Sequence, residues 1–267
     1  MTPTETLTRA AGMLVLGLFK KPWKRSVLMT NKLDSLVDFL SKDDRVRILC
    51  QEPLPPEYSY ASLSTMVLDA IFSIGVRYGQ VKAVIERHAK HQKYDPLDFG
   101  KPDPYPLPKL ILEGKEGTPQ QFAEKLGNLG RTSTRSGILK AEAVILAAQA
   151  LVRHGIIDLP SWRSADEATL KAAERDFRSV KGQRTGVSWN YLSMLAGDGD
   201  KVKPDRMVVR YVEAALGHKG VLPEDAGKLL VAAAAALCGT HGYPSNLTAR
   251  QLDSAVWNVA RTLRQTR

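Results

Sequence analysis

The chain has 267 residues, of which 43% are hydrophobic and 25% are charged, and its formal net charge at pH 7 is +10. A chain of this length and composition buries a sizeable hydrophobic core, so disorder of the whole chain does not fit it. The excess of lysine and arginine favours a polyanionic partner such as nucleic acid, although basic proteins without such a partner are about as common.

The cysteines and the apolar runs restrict the class of protein further. Cys50 and Cys238 stand far apart and are the only two cysteines, so they build neither a disulfide framework nor a four-cysteine metal site. A reducing compartment fits them best. The apolar runs at 12–19 and 229–238 are too short to span a bilayer, and the first lacks the features of a signal peptide. We expect a cytoplasmic protein that does not enter a membrane, with the first run as a packed helix.

Apolar residues recur at intervals of three and four rather than two, which predicts an all-α fold. Thr118, Ser164 and Thr248 are each followed three residues later by Glu or Gln, a pattern typical of a capped helix start. Gly155 is placed to end one long helix, and Pro223 suits the first turn of another. In chain order, the predicted helices cover 119–127, 136–154, 165–177, 223–237 and 249–265.

The segment 92–108 separates two parts of the chain. It contains five prolines and one glycine, so neither a helix nor a central strand persists there, and we expect an ordered loop or a linker. We therefore divide the chain into an amino-terminal helical lobe at 1–110, which includes this loop, a second lobe at 118–220, and carboxy-terminal helices at 221–267.

A basic turn with two glycines occupies residues 181–186, with the sequence Lys-Gly-Gln-Arg-Thr-Gly. Gly182 and Gly186 allow backbone N–H groups to point outward, and a helix beginning near Val187 adds its positive end. Such a turn suits one phosphate, bound by amides and by the side chains of Lys181 and Arg184. The alternative interpretation is an ordinary basic loop between two helices.

Three further residues that bear on function follow this turn. Gly197 ends the next apolar segment, Asp205 stands eight residues later in a Lys-Pro-Asp helix start, and Arg210 follows after five more. Taken alone, Asp205 is most simply a helix cap. With these residues in this order, the segment 180–212 resembles the helix-hairpin-helix DNA glycosylase superfamily. In that family the hairpin binds the DNA backbone, and the aspartate that follows acts at a sugar of the DNA. The resemblance covers roughly residues 60–215.

The resemblance implies a two-lobed helix-hairpin-helix fold in which the carboxy-terminal helices pack back on the first lobe. It also implies that Asp205 is the catalytic residue, which stabilises the positive charge on the sugar as the base departs and orients or deprotonates the attacking water. Double-stranded DNA is then the partner of a protein that acts as a monomer near the bacterial nucleoid. The implied DNA-binding residues are Lys181, Gly182, Gln183, Arg184, Thr185, Gly186, Val187, Ser188 and Arg210.

The family pattern also bears on cofactors and on strand cleavage. Hairpins of this kind often carry a monovalent cation on their carbonyls, whereas Arg184 stands where a second hairpin glycine is usual; no other cofactor is expected. Relatives that nick the abasic product have a lysine at the position of Gly186, so we predict a glycosylase that leaves abasic sites. Lys181 and Lys203 are nearby amines, so a residual lyase activity through one of them is an alternative. The four-cysteine iron–sulfur branch is excluded.

The segment 68–78 resembles the family helix that abuts the base pocket, and polar residues, often glutamine, are common there where this chain has an isoleucine and a glycine. That departure suggests a roomier pocket or one that recognises the base differently. Aromatic residues at helical spacing belong to the core more often than to a binding site, so packing is the competing role. The residues expected around the flipped base are Phe72, Ile74, Gly75, Tyr78 and Trp189.

His88 and His91 lie three residues apart, which is compatible with two metal ligands, but no carboxylate or thiol completes a set, so we predict no metal site.

The excised base is either a damaged base, as for family members that act in repair, or a hypermodified one. The second alternative arises because the chain is also similar in outline to bacterial glycosylases that attack phage DNA containing, for example, glucosylated hydroxymethylcytosine. A non-catalytic DNA-binding protein with the same hairpin is the main alternative, and a lyase or endonuclease is a third.

Overall fold

The computed structural model describes residues 22–54 and 59–262. The apolar run 12–19 lies outside them. The described residues form thirteen α-helices and no β-strand, which confirms the predicted all-α class. The helices are α1 Pro22–Ser41, α2 Asp44–Gln51, α3 Leu63–Phe72, α4 Tyr78–Gln92, α5 Leu107–Lys115, α6 Pro119–Leu126, α7 Lys140–Val152, α8 Leu159–Ser164, α9 Glu167–Ser179, α10 Val187–Leu195, α11 Arg206–Leu216, α12 Pro223–Leu237 and α13 Ala249–Thr262.

Helix starts follow local capping chemistry, with one correction. Thr118 and Gln121 form the expected capping box at α6, and α12 spans the predicted residues. At α9 the cap is Asp166, whose side chain accepts from the Thr169 amide, because Ser164 already ends α8. The predicted start at 165 is therefore two residues early.

Helix α7 also begins later than the predicted residue 136. Residues 131–139 instead form a tight loop that is closed by an antiparallel bridge between Arg131 and Leu139. The Lys140 amide donates to the Gly130 carbonyl, and the Thr132 amide donates to the Ile138 carbonyl. These backbone groups are therefore bonded across the loop rather than along a helix.

Two hydrophobic cores organise the chain. The central core is built by residues 60–196, from α3 to α10. The terminal core joins α1 and α2 to α11, α12 and α13. The chain thus leaves the terminal core after α2 and returns to it at Val202.

The two cores do not follow the predicted lobe boundaries. Residues on both sides of 110–118 share the central core, because α5 and α6 pack against α7. Helix α11, which those boundaries assign to the second lobe, packs instead in the terminal core with α13. Of the carboxy-terminal helices, α12 packs on α1 and α13 packs on α2.

Candidate functional site

The predicted hairpin connects α9 to α10. Gly182 and Gly186 have positive φ angles of 94° and 77°, which favour glycine strongly. The turn is closed by two backbone bonds, from the Gln183 amide to the Val180 carbonyl and from the Gly186 amide to the Gln183 carbonyl. The amides of Gly182, Arg184 and Thr185 make no such bond within the described chain. Helix α10 also begins without a side-chain cap, so several N–H donors of this turn remain available.

The hairpin is held in place from two sides. A Cβ atom added at Gly182 would lie 2.4 Å from the Cβ atom of Thr132, so the turn packs tightly on the 131–139 loop. On the other side, the guanidinium group of Arg178 donates to the Arg184 carbonyl and pairs with Glu174. The Arg184 carbonyl is thus already bound by a cation of the chain.

The predicted DNA-binding residues differ in exposure. Lys181, Arg184 and Thr185 have exposed side chains, and Arg210 is exposed on α11. The side chains of Gln183 and Ser188 are buried, and Val187 is half-buried. Val187 and Ser188 lie in the first turn of α10, where their backbone amides lack intrahelical partners, whereas the Gln183 amide already donates to the Val180 carbonyl.

Asp205 is the N-cap of α11. Its Oδ1 atom accepts hydrogen bonds from the amides of Met207 (2.7 Å) and Val208 (3.2 Å). Its Oδ2 atom accepts from the indole N–H of Trp257, at 3.1 Å. The carboxylate is half-buried and fixed at the start of α11.

Lys203 lies two residues before Asp205 and faces the central core. Its Nζ atom is 3.6 Å from the centroid of the Tyr191 ring, a cation–π distance. Burial lowers the pKa of Lys203, and the negative charges of Asp69, Asp205 and Asp253 oppose that effect. One ammonium group is therefore shared by three carboxyl groups from three different helices or their caps.

Asp69 is fully buried in the middle of α3. Its Oδ2 atom accepts from the hydroxyls of Tyr60 (3.0 Å) and Tyr191 (3.2 Å), and its Oδ1 atom accepts from Ser73 at 2.6 Å. Burial raises the pKa of Asp69, while the Lys203 charge and these hydrogen bonds act against the rise. Every oxygen of this buried carboxyl is thus satisfied.

Asp253 lies on α13, where it is 3% exposed. Its Oδ1 atom accepts from the backbone amide of Lys203 at 3.2 Å. Burial, and then the nearby Asp205 charge, raise the pKa of Asp253 well above its usual value. Asp69, Lys203, Asp205, Asp253 and Trp257 form what we call the acidic cluster, which lies where the two cores meet.

We expect Asp253→Asn to make stability less dependent on pH. The folded pKa of Asp253 is raised above 3.8, so just above that pH the folded state retains a proton that the unfolded state has lost. The unfolding free energy of the wild type should therefore fall as pH rises from 3.8 to the folded pKa, and the variant should lack this loss. Denaturant unfolding at a series of pH values measures it, with the exposed Asp200→Asn as control. Equal slopes for Asp253→Asn and wild type would contradict the expectation.

The residues predicted around the base differ in burial and in their contacts. Phe72 is 1% exposed in the central core, and Trp189 is buried against Trp162 and Phe177. For these two, packing is the role that the structure shows. Tyr78 is half-buried and makes an edge contact with Trp257 of the acidic cluster, at a centroid distance of 6.2 Å.

The turn between α3 and α4 carries the other two predicted pocket residues. Ile74 is half-buried, and Gly75 is exposed with a φ of 73°. The buried Lys140 side chain donates to the carbonyls of Phe72 (3.0 Å) and Ile74 (2.6 Å). Burial lowers the pKa of Lys140 to about 8. Lys140 thus holds this turn at the end of α3.

The two histidines do not converge on a metal. His88 is buried, and its ring nitrogens bond the Tyr94 hydroxyl and the Glu113 carboxylate at 3.0 Å and 2.9 Å. His91 is exposed. Within the described residues, no group of three or more potential ligands suits a metal ion.

Sequence reasoning missed Asp69, Asp253, Trp257 and Tyr60. One signal was present for the two acids, because each interrupts an otherwise apolar helix face, and a carboxyl group in such a place is rarely buried without a specific partner. Trp257 follows Asp253 by four residues and hence shares its face of α13. No local pattern pairs either residue with Asp205.

The chain belongs to the family described as a domain of unknown function (DUF8548), whose model matches residues 41–261. No curated protein and no solved structure matches it. None of the described helices is both long and apolar enough to cross a membrane.

Proposed function

We propose that this protein is a DNA glycosylase that flips a modified base out of duplex DNA and hydrolyses its N-glycosidic bond. The observation that carries the proposal is the order of three features along a short stretch of chain. A hairpin in which three amides make no backbone hydrogen bond is followed by a glycine-terminated helix, and then by a carboxylate fixed at a helix start. The proposal includes the two-lobed helix-hairpin-helix fold, with the acidic cluster at the junction of the cores.

DNA binding by the hairpin is supported by its donors and charges. The unbonded amides of Gly182, Arg184 and Thr185 and the uncapped start of α10 present several N–H groups on one turn. Exposed Lys181 and Arg184 add two cations beside them. Together these groups suit a backbone phosphate, which needs N–H donors and positive charge at close range.

The proposed chemistry assigns Asp205 to the sugar. A carboxylate near C1′ stabilises the positive charge that develops as the base leaves, and it accepts a proton from the attacking water. Trp257 and the two α11 amides fix the orientation of that carboxylate. Lys203 provides a positive charge that interacts with it. No metal or organic cofactor takes part in this scheme, and one monomer carries all of these groups.

Glycine at position 186 supports release of an intact abasic site, because this hairpin position offers no amine for an imine with the sugar. The base is either damaged, which gives a repair function, or hypermodified, which gives defence against phage DNA. Unmodified and modified DNAs must be compared to distinguish these two functions.

The test of the proposal is abasic-site formation on a panel of duplex DNAs. Ordinary, alkylated, oxidised, deaminated and glucosyl-hydroxymethylcytosine DNAs are incubated with the protein, and abasic sites are counted with an aldehyde-reactive probe. We expect signal on one modified class and none on ordinary DNA. Absence of signal on every DNA, with duplex binding intact, would contradict the proposal.

The second candidate function is a non-catalytic DNA-binding protein that uses the same hairpin. One observation favours it: both oxygens of Asp205 already have hydrogen-bond partners within the fold. In this alternative, Asp205 only caps α11 and links it to α13. The alternative predicts DNA binding without base release, and no functional change when the charge of Asp205 is removed.

A further inference from the structure

A basic groove runs along α9 beside the hairpin. It has a volume of about 1050 Å³ and is lined by five cationic side chains and one carboxylate, that of Glu174. We call it the α9 groove. Its cations are Lys171, Arg175, Arg178, Lys181 and Arg184.

The charge pattern of α9 places these cations on one face. Ala173 and Phe177 of α9 are buried in the central core. Lys171, Arg175 and Arg178 are spaced by four and three residues, so they share the face that borders the groove. The helix is thus anchored by its apolar side and offers a row of cations to solvent.

The cations are committed to intramolecular partners to different degrees. Arg178 holds the hairpin through the Arg184 carbonyl and pairs with Glu174. Lys171 pairs with Glu167 at 2.6 Å, but both side chains are largely exposed, so that pair is weak and readily exchanged. Arg175 makes no ion pair with any described residue. Lys171 and Arg175 are therefore the groove cations on α9 that remain to be explained.

We propose that the α9 groove is a second backbone-binding surface, which carries the DNA strand onward from the hairpin. Lys181, Gly182 and Arg184 line both the hairpin and the groove, so one strand can contact the two surfaces without a break. Along the α9 axis Lys171 and Arg178 are about 10 Å apart. A strand with one phosphate per about 3.4 Å of duplex axis presents several phosphates over that length.

The lining favours a nucleic-acid strand over an acidic peptide. Protein interfaces are anchored by aromatic and large apolar side chains, and the groove residues of the described chain include no aromatic one. Its uncharged members are small, as with Ala168, Ser179 and Gly182. A groove that has many cations and no aromatic anchor suits a partner that is recognised by its phosphates.

The test compares two double variants that each remove two charges from an exposed helix face. Lys171→Gln with Arg175→Gln alters the groove, and Lys82→Gln with Lys90→Gln alters α4 as the matched control. Binding to an unmodified duplex is followed by fluorescence anisotropy over a range of salt concentrations. We expect the groove variant to bind at least tenfold more weakly at low salt and to lose about 1.8 from the slope of log K against log salt, since each phosphate contact contributes about 0.9. The α4 variant should keep nearly the wild-type slope.

The inference rests on the proposed DNA contact of the hairpin, and the outcomes separate the two. Equal slopes for the groove and α4 variants would overturn the groove while leaving the hairpin proposal intact. Loss of polyglutamate binding in the groove variant, with its DNA slope unchanged, would overturn it in favour of an acidic peptide. A wild-type protein that binds no duplex would overturn both proposals. Because base excision is not the readout, failure to find the substrate base does not affect the result.

Discussion

Asp205→Asn should reduce base release by a factor of about 10² or more while leaving the fold and DNA binding in place. The asparagine oxygen can still cap α11 through the amides of Met207 and Val208. The charge that the proposed transition state requires is lost. DNA affinity should hold or increase, because a negative charge near the phosphates is removed. Single-turnover excision on the DNA identified by the panel measures the rate, and anisotropy measures the affinity.

The indole contact supplies the control for this experiment. In Asp205→Asn the side-chain NH₂ takes the place of Oδ2 and cannot accept from Trp257, at a stability cost of about 1 kcal/mol. Trp257→Phe removes the same hydrogen bond and keeps the carboxylate, so its excision rate should fall much less. An Asp205→Asn protein that excises as fast as wild type would show that this residue is only a cap, as the non-catalytic alternative requires.

The acidic cluster also explains why a charged group at the junction of two cores is tolerated. Lys203 lies on the Tyr191 ring, and the negative charges of Asp69, Asp205 and Asp253 act on its ammonium group. A buried ion group of this kind contributes little net stability, because desolvation offsets most of the attraction. The hydrogen bonds of the cluster do connect helices, because Asp69 joins α3 to α10 through Tyr191 and Asp205 joins α11 to α13 through Trp257. The hydrogen bonds that orient Asp205 come from α11 and α13, and the charge of Lys203 links this carboxylate to the central core.

The helical class and the hairpin could be predicted from sequence because both depend on local chemistry. Glycines that require positive φ, a proline at a helix start and a hydroxyl cap act within a few residues. Gly182, Gly186 and Gly197 adopt positive φ, and Asp205 caps the next helix, as the spacing indicates.

The core boundaries and the acidic cluster could not be predicted in this way. Trp257 is 52 residues from Asp205, and Asp69 is 122 residues from Tyr191. Apolar periodicity shows which face of a helix is buried, but it does not show which other helix covers that face. The pairing of α11 with α13, and of α1 with α12, therefore depends on how all the helices pack together and cannot be read from any one segment.

Gly182→Val should weaken duplex binding by at least about tenfold, because it distorts the hairpin in two ways. The φ of 94° disfavours any side chain, and a Cβ atom there would lie 2.4 Å from the Cβ atom and 2.7 Å from the Oγ1 atom of Thr132. Either the hairpin or the 131–139 loop must move. We expect the unfolding free energy to fall by about 1–3 kcal/mol, a cost that leaves a chain of this size folded. Anisotropy and denaturant unfolding measure the two effects.

Two further variants separate loss of the hairpin shape from simple destabilisation. Gly155 has a φ of 75°, and a Cβ atom added there would meet no other atom within 4 Å, so Gly155→Val introduces comparable backbone strain without the clash, away from the hairpin. It should lower stability and leave DNA affinity unchanged. Thr132→Gly removes the three atoms nearest to the added Cβ atom, so combined with Gly182→Ala it should restore part of the affinity lost in Gly182→Ala alone. If Gly182→Val binds duplex DNA as tightly as Gly155→Val, the hairpin is not the DNA contact, and the placement of Asp205 beside a flipped nucleotide loses its main support.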